Sequence, residues 1–291
     1  MLTLALPTNA ETFERIRDPL ADRDIEVRHL RTRERTLALT DPPWSPDAFD
    51  VGLVFPPRLM EGGAADGLVE VPWVNGRGAV LTSRNKAEVL ARCARAGLPV
   101  PETTLVSNPI GDDAVAAALE SFDPPVVVKP NSTTRGVGVA KVGDVDSALG
   151  VTDYLDLVQD FRATGDRSYL LQEYLPDATD YRAMVLDGEF AGAVERRLPE
   201  SAVEAGQWKH NVHRGAEARG VDLDPELRAL AEQVAEVLGI DFLGVDLLVT
   251  DDRAVVSETN ARPTVDEATK YEPGFYDRLA DLVRATAERG T

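Results

Sequence analysis

Apolar residues in the first part of the chain are spaced as in a small α/β unit. Residues 2–6, 25–30 and 50–55 are short apolar runs that predict β-strands. Between the first two, residues 11–20 carry apolar side chains at the spacing of one helix face. Strands and a helix of these lengths predict a small parallel sheet with a helix packed on it.

Turn-forming residues and another helix follow this unit. Residues 61–67 (EGGAADG) predict a turn-rich connection. The next helix is predicted to begin near Ser83, whose side chain is a candidate N-cap, and to end at Gly97. We therefore expect the first domain boundary near residue 80.

The remainder of the chain shows stronger strand and helix patterns. Residues 126–130 (VVVKP) read as a strand that is buried on both faces. Residues 187–188 (Asp-Gly) lie between two alternating runs and indicate a β-hairpin. Residues 225–238 predict an amphipathic helix that starts with a proline. Further strands are predicted at 139–142, 169–172, 182–186, 190–194, 243–250 and 254–258, and a last helix near the C-terminus.

Acidic side chains dominate the composition. The chain has 291 residues, with 31 basic and 50 acidic side chains and a formal net charge of −19. Such a surface repels phosphate backbones and anionic headgroups, so we expect no nucleic acid and no membrane as partner. The excess of carboxylates, with only five lysines, predicts either a halophilic protein or drift of a GC-rich coding sequence. No basic leader or membrane-length apolar run is present, which predicts a soluble, cytoplasmic protein.

Three oxygen-bearing side chains belong to the last predicted hairpin. If residues 251–253 form a three-residue loop, Asp246 faces Glu258, and Asn260 returns to the same face two residues later. Two carboxylates and an amide carbonyl suit Mg²⁺ or Mn²⁺. A two-residue turn would place the two carboxylates on opposite faces. The alternative is that these side chains are only hydrated on a half-exposed strand.

A second group of candidates lies within residues 126–139. Lys129, at the end of an apolar strand, can present one positive charge to a phosphate. The polar loop after it can bring backbone N–H groups against phosphate oxygens, because Gly136 and Gly138 permit close approach. The glycine pair alone is a weak signal, and the sequence matches neither a dinucleotide-binding fingerprint nor a P-loop.

A third group, residues 206–219, concentrates cations in an acidic chain. Its polar members are Lys209, His210, Asn211, His213 and Arg214. Zinc would need a third nitrogen or sulfur ligand beside the two histidines, and the segment offers none. We therefore expect an anion site, to which Arg182, Arg196 and Arg197 contribute if the neighbouring hairpin folds over it.

The order of these motifs resembles the ATP-grasp fold, and within it the RimK-type α-L-glutamate ligases. The motifs are Lys129 with its glycine loop, QEYL at 172–175, DYR at 180–182, KHNVHRG at 209–215, GVDLL at 244–248 and ETN at 258–260. The resemblance covers residues 80–291. It implies an α/β (α+β) ATP-grasp fold after a small Rossmann-like pre-ATP-grasp α/β domain. The expected domains are 1–80 and 81–291, the second with a lid subdomain at about 100–172 and a larger one at about 173–291.

The resemblance also implies a role for each matching position. Those implied to bind ATP are Lys86, Lys129, Gly136, Gly138, Glu173, Tyr174, Leu175, Asp180, Lys209 and Asn211. Those implied to hold two Mg²⁺ or Mn²⁺ ions are Asp246, Glu258 and Asn260. Those implied to bind the carboxylate substrate are Arg182, Arg196, Arg214 and Arg262. Those implied to act in catalysis are Arg182, Lys209, Asn211 and Arg214.

The activity implied by this resemblance is that of an ATP- and Mg-dependent carboxylate–amine ligase. The γ-phosphoryl group of ATP moves to a carboxylate, and an amine then displaces phosphate from the acyl phosphate to form an amide. The expected small-molecule amine is an amino acid such as L-glutamate. The expected acceptor is a carboxylate on a metabolite, a cofactor or a protein C-terminus. A homodimer or homotetramer is compatible with the resemblance.

Two departures from the family lie beside the expected acyl-phosphate site. Residues 261–263 (Ala-Arg-Pro) stand where these ligases usually carry a small-residue turn, and residues 209–211 (Lys-His-Asn) replace Arg-x-Asn. They leave open another ATP-grasp ligase, such as a dipeptide, glutathione-like or amino-group-carrier ligase. A non-catalytic nucleotide-binding protein is the alternative from another class. Such a protein is expected to have lost one of Lys129, Asp246, Glu258 and Asn260, and all four are present.

Overall fold

The strands of the protein form three sheets within the residues that the structure describes. This computed structural model covers residues 1–8, 10–45, 47–134, 136–158, 166–209, 215–266 and 270–290. The first sheet is parallel and contains β1 (Leu2–Leu6), β2 (Ile25–His29), β3 (Val51–Val54) and β4 (Trp73–Asn75). Its strand order is β2-β1-β3-β4. The predicted strands β1, β2 and β3 are confirmed.

Two helices cover this first sheet. The helix α1 (Glu11–Ala21) buries Ile16 and Leu20 in the same cluster as Leu4 and Leu6 of β1. The helix α2 (Leu59–Val69) contributes to a second cluster, which contains Ala5 on the opposite face of β1. The alternation along β1 therefore places one helix on each face of the sheet.

The helix α2 contradicts the predicted turn at residues 61–67. A Cβ atom at Gly62 would lie only 2.9 Å from side-chain atoms of Phe55 and Pro56. The glycine therefore lets the helix approach the end of β3 closely. Burial of Ala65 and Val69 then outweighs the low helix propensity of the glycines. The prediction was wrong because this packing is not local in the sequence.

The helix that was predicted to begin near Ser83 is instead a pair of helices. They are α3 (Arg77–Arg84) and α4 (Lys86–Arg95), and the side chain of Asn85 between them caps α4. Ser83 lies within α3, so its predicted role as an N-cap is wrong. Its hydroxyl instead accepts a hydrogen bond of 2.8 Å from the N–H of Ala261.

The second sheet is antiparallel and carries the predicted strand at residues 126–130. It contains β5 (Thr103–Ser107), β6 (Val126–Pro130), β7 (Ala140–Val142) and β8 (Ser168–Glu173), in the order β5-β8-β6-β7. The helices packed on it are α5 (Asp112–Leu119) and α6 (Val145–Val158). Val126 and Val128 lie in the cluster with these helices, so the side chain of Lys129 faces the opposite side.

The third sheet has five antiparallel strands. They are β9 (Thr179–Leu186), β10 (Glu189–Arg197), β11 (Glu217–Val221), β12 (Phe242–Val249) and β13 (Ala254–Asn260). The strand order is β11-β10-β9-β12-β13. The predicted hairpin is confirmed, and both of its turn residues, Asp187 and Gly188, have positive φ angles, as in a type I′ turn.

Helices pack on both faces of the five-stranded sheet. The remaining helices are α7 (Glu200–Glu204), α8 (Pro225–Leu238) and α9 (Phe275–Arg289). Ala183 and Val185 point into the cluster formed with α8 and α4. Met184 and Leu186 point the other way, into the cluster that α9 shares with the first sheet. The C-terminal helix therefore lies between the first and third sheets and packs against both.

A buried amide also joins the first and third sheets. Asn75, at the end of β4, donates from Nδ2 to the carbonyl oxygens of Phe242 (2.5 Å) and Ala261 (2.7 Å). Its Oδ1 accepts from the N–H of Phe242 at 3.3 Å. Asn75 is fully buried, so its polar atoms depend on these partners. The end of β13 is thus attached to the first sheet.

The predicted domain boundary near residue 80 falls inside α3, and the division into domains stays a prediction. In the part of the chain that the structure describes, no helix has both the length and the apolar composition that a membrane crossing requires.

Candidate functional site

The two carboxylates of the predicted metal site face each other, but the turn between their strands differs from the predicted one. Asp246 of β12 pairs directly with Glu258 of β13. The N–H of Thr250 donates to the carbonyl of Arg253 at 2.9 Å, so the turn contains two residues and not three. Such a turn alone would separate the carboxylates, but a β-bulge leaves Ser257 without a partner and restores the register.

The third predicted metal ligand lies on the same face. Asn260 pairs with Gly244, two residues along from the pair formed by Glu258, so its side chain projects to the same side of β13. Its Oδ1 accepts a hydrogen bond of 2.9 Å from the N–H of Arg262. The predicted grouping is confirmed, whereas its role in metal binding stays a prediction.

A row of buried ion pairs crosses the strands beside this group. Arg182 binds Asp246 through two hydrogen bonds, Nε to Oδ1 at 2.6 Å and Nη2 to Oδ2 at 2.7 Å. Arg196 lies 3.0 Å from the same carboxylate. Arg196 also donates to Oδ1 of Asp180 from Nε at 2.9 Å and from Nη2 at 2.5 Å. Two aspartates and two arginines thus form a continuous row, which we call the ion row.

The ion row controls the charge of its carboxylates. Burial alone would raise the pKa of Asp246, but the charges of Arg182 and Arg196 outweigh it and lower the pKa to about 2. Asp246 is therefore ionised at neutral pH. Burial raises the pKa of Asp180, and the charge of Arg196 opposes that effect.

This pairing changes what the four side chains can offer a ligand. A carboxylate has about four acceptor positions. The two arginines use three of those on Asp246, so a metal ion can reach only the position that remains. The predicted roles of Arg182 and Arg196 in substrate binding and of Asp180 in ATP binding stay predictions, and in this structure the three side chains bind within the ion row.

Two lysines lie beside Glu258. Burial lowers the pKa of Lys129 to about 8, against the raising effect of the Glu258 charge, and only 5% of the residue is exposed. Nζ of Lys86 lies 3.8 Å from Oε2 of Glu258. It also donates to the carbonyls of Thr133 and Asn131. The structure thus brings two lysines implied to bind ATP together with a predicted metal ligand.

The loop after Lys129 requires its glycines. Gly136 and Gly138 both have positive φ angles, of 65° and 76°. A Cβ atom at Gly138 would lie 2.7 Å from Cγ of Pro130. Oγ of Ser132 is buried and has no hydrogen-bond partner among the described residues. The loop therefore approaches β6 closely and holds one hydroxyl that can still bind a ligand.

An aromatic pair near this loop was not predicted. The rings of Tyr174 and Trp208 meet edge to face, with centroids 5.9 Å apart. Nζ of Lys141 lies 4.4 Å from the Tyr174 ring, and Nζ of Lys209 lies 5.4 Å from the Trp208 ring. A cavity of about 430 Å³ is lined by residues 206–209. Trp208 next to Lys209 was a signal in the sequence, but the contact with Lys141 depends on the fold.

Three of the residues implied to bind ATP connect two sheets. Glu173, Tyr174 and Leu175 lie at the end of β8 and lead into the five-stranded sheet. The N–H of Glu173 donates to the carbonyl of Glu102 at 3.0 Å, and its carboxylate lies 2.5 Å from Arg253. The segment is thus positioned by backbone and side-chain contacts.

Several predicted residues lie outside the described part of the chain. Asn211 and Arg214 are among them, as are His210 and His213. Lys209 precedes this segment, and its Nζ donates to the carbonyl of Val139. The predicted roles of these residues stay predictions.

Arg262 lies in a cluster of arginines that the sequence reasoning missed. Its Nη1 donates to the carbonyl of Phe55 at 3.0 Å, and Nη2 of Arg84 donates to the carbonyl of Pro57 at 3.3 Å. Burial lowers the pKa of Arg262 to about 10, and the charges of Arg84 and Arg33 contribute. Sequence spacing could not reveal a cluster built from three distant segments.

Known proteins are similar to this chain in sequence and in fold. Residues 83–274 match the family model described as "RimK-like ATP-grasp domain". A probable α-L-glutamate ligase of Thioalkalivibrio sulfidiphilus is 33% identical over 192 residues, which cover 65% of this chain and 59% of the relative. The ribosomal protein bS6–L-glutamate ligase of Shigella boydii is 31% identical over 194 residues, which cover 66% and 60%. A crystal structure of D-cycloserine synthetase matches with a TM-score of 0.72 at 22% identity, covering 99% of this chain and 100% of that one.

These similarities differ in what they establish. The structural match shows the ATP-grasp fold, which confirms the predicted fold class. The chain spans about three fifths of the length of the curated relatives that it matches.

The buried Lys129 predicts a pH dependence of stability. Its pKa is about 8 in the folded protein and 10.5 as its ordinary value, so the unfolded chain binds more protons between these pH values. The free energy of unfolding should therefore rise from pH 8 to pH 10.5, by roughly 3 kcal/mol at most. Urea unfolding of the wild type and of Lys129→Met across this range measures the difference. Parallel curves for the two proteins would contradict the assignment.

The ion row predicts unequal effects of two neighbouring substitutions. Asp246→Asn leaves Arg182 and Arg196 without a full counter-charge and should cost roughly 3–5 kcal/mol of unfolding free energy. Glu258→Gln should cost less than about 1 kcal/mol, because that side chain is 36% exposed and lies 3.8 Å from its nearest cation. Urea unfolding at pH 7 tests both. A loss of less than about 1 kcal/mol in Asp246→Asn would show that the ion row does not stabilise the fold.

Proposed function

We propose an activity for this chain on the basis of its family. The chain belongs to the RimK-like ATP-grasp family. The protein is an ATP-dependent carboxylate–amine ligase that joins an amino acid to a carboxylate acceptor, with L-glutamate as the first candidate. The observation that carries the proposal is the grouping of Lys86 and Lys129 with Glu258 beside the glycine loop. The names of the relatives support glutamate, and one of them includes a ribosomal protein, which supports a protein acceptor.

The nucleotide side of the site suits a triphosphate. The two lysines supply positive charge in a chain whose net charge is −19. A phosphate next to Lys129 would stabilise its protonated form and so compensate for its burial. The hydroxyl of Ser132, which has no partner among the described residues, and the N–H groups of the glycine loop can donate to further phosphate oxygens.

The oxygen ligands suit Mg²⁺ or Mn²⁺. Glu258 and Asn260 can each offer an oxygen, and Asp246 retains one acceptor position beside the ion row. We therefore assign Glu258 as the principal ligand. When bound, the metal ion neutralises charge on the phosphates and orients the group that is transferred.

The residues of the chain act by binding and positioning. The lysines hold the phosphates while a carboxylate oxygen of the acceptor bonds to the γ-phosphorus. The bond from that phosphorus to the β,γ-bridging oxygen breaks, and ADP leaves. The amine nitrogen then bonds to the acyl carbon, the bond between that carbon and the phosphate oxygen breaks, and the amine proton passes to solvent. No nucleophile of the protein is required, so positioning and charge neutralisation account for catalysis.

A second candidate keeps the reaction and changes the substrates. It is another ATP-grasp amino-acid or peptide ligase. Arg262 favours it, because this arginine stands two residues beyond Asn260 and contacts the first sheet, where the resembling ligases usually carry a small turn. The predicted homodimer or homotetramer is part of neither candidate and stays a prediction.

The proposal predicts ADP release that needs both substrates. With ATP and Mg²⁺ in high KCl, a screen of amino acids against carboxylates should yield ADP only where an acid and an amine are present together. A coupled ADP assay measures it. Dependence on glutamate favours the first candidate, and turnover with other amines alone favours the second.

Lys129 supplies the variant for this assay, and an exposed arginine supplies its control. Lys129→Ala should lower kcat/KM by about 100-fold or more, because a buried charge at the transferred phosphate is lost. Arg95→Ala, on the exposed end of α4, should leave kcat/KM unchanged. Full ADP release by Lys129→Ala would contradict the proposal.

A further inference from the structure

A small crevice opens at the carboxyl edge of the parallel sheet. Residues after β1 and β2 line a cavity of about 200 Å³, among them Thr8, His29, Arg31, Thr32 and Arg33. In open α/β sheets, ligands bind outside the carboxyl ends of the strands. The crevice therefore lies at the edge of the sheet where ligands bind in folds of this kind.

A buried hydroxyl in this crevice has no partner among the described residues. Thr32 is only 4% exposed, and its Oγ1 forms no hydrogen bond there. A buried hydroxyl without a partner costs free energy, and most such groups are satisfied in native proteins. Thr32 is therefore placed to bond with an atom that a ligand supplies.

The first helix begins at the same crevice. Ala10, the N-cap of α1, lines the cavity and contributes no side-chain capping bond. The first N–H groups of a helix attract anions. The acid among the lining residues, Glu34, is exposed and can turn into solvent.

Arginines without an acidic partner line the crevice or lie at the same edge of the sheet. They are Arg31, Arg33, Arg84 and Arg262, and none lies within 4.0 Å of a carboxylate among the described residues. Arg84 and Arg262 both donate to carbonyls of the loop after β3, at the same edge of the sheet as the crevice. Acidic residues outnumber basic ones by 50 to 31, so unpaired arginines at one edge indicate an anionic ligand.

We propose that this arginine crevice binds the acceptor, and that the acceptor carries a second anionic group besides the carboxylate that becomes the amide. Arg33 and Arg31 hold the second group, and Thr32 donates to it. Arg262, two residues beyond Asn260, directs the reacting carboxylate towards Glu258. The direction of that carboxylate rests on the proposed function, whereas binding of a dianion by the crevice does not.

Calorimetric titration of the full chain without ATP tests the binding. The probes are glutarate with two carboxylates, butanoate with one, and 3-phosphonopropanoate with a phosphonate as its second group. Glutarate or 3-phosphonopropanoate should bind at least tenfold more tightly than butanoate. The tighter of the two identifies the second group as a carboxylate or a phosphate. Equal affinity for all three probes would overturn the proposal.

Matched arginine variants locate the site. Arg33→Gln and Arg262→Gln should each weaken glutarate binding at least tenfold. Arg35→Gln should not, because that side chain stacks on Trp44, 5.5 Å away, in the same loop. Circular dichroism checks that each variant folds, and Arg33→Lys, which keeps the charge, should recover part of the affinity. Equal binding by Arg33→Gln and Arg35→Gln would exclude the crevice as the site.

The two proposals can fail separately. In one outcome, glutarate binding depends on Arg33 but the chain releases no ADP with any acid and amine. That result would overturn the proposed function and support anion binding at the crevice. In the other outcome, the chain releases ADP, and neither Arg33→Gln nor loss of the second anionic group changes the rate. That result would overturn acceptor binding at the crevice and support the ligase activity.

Discussion

Ionised aspartate in the middle of a buried sheet is the constraint on which this structure depends. Asp246 is buried between apolar neighbours on β12, and a lone carboxylate there would be very costly. The strand order β10-β9-β12 solves this by placing Arg196 and Arg182 within hydrogen-bonding distance. Because both arginines are themselves buried or half-buried, each side chain of the ion row depends on the others. The same carboxylate faces Glu258, so the stability of the sheet and the chemistry of the site are coupled.

The end of β13 connects three parts of the molecule. The bulge at Ser257 turns Glu258 towards the lysines while Thr259 faces α3, where its hydroxyl lies 3.1 Å from that of Ser83. Asn75 attaches the next residues to the first sheet. Arg262 then donates to the carbonyl of Phe55 after β3, at the edge of the sheet where the crevice opens. A short segment thus links the proposed nucleotide site to the proposed acceptor site, and a shift of β13 would affect both.

Local patterns predicted the elements, and contacts between distant segments decided the rest. The strand β1 and the helix α8 were predicted correctly because alternation and helical periodicity are local signals. The helix over residues 61–67 was missed because Gly62 packs against the end of another strand. The pairing of Asp246 with Glu258 was predicted correctly from an incorrect turn, since the unforeseen bulge compensates for the shorter loop. The ion row depends on the order of the strands in the sheet, and the arginine cluster depends on contacts between distant segments. Periodicity encodes neither.

Transfer of an isotope tests most directly whether ATP phosphorylates the acceptor carboxylate. An acceptor with both carboxylate oxygens replaced by ¹⁸O is turned over with ATP, Mg²⁺ and the amine that supports ADP release. We expect one ¹⁸O in the released phosphate and the other in the amide, because the acyl–phosphate bond breaks between the acyl carbon and the oxygen. Phosphate without ¹⁸O, or ¹⁸O found in AMP, would contradict this expectation.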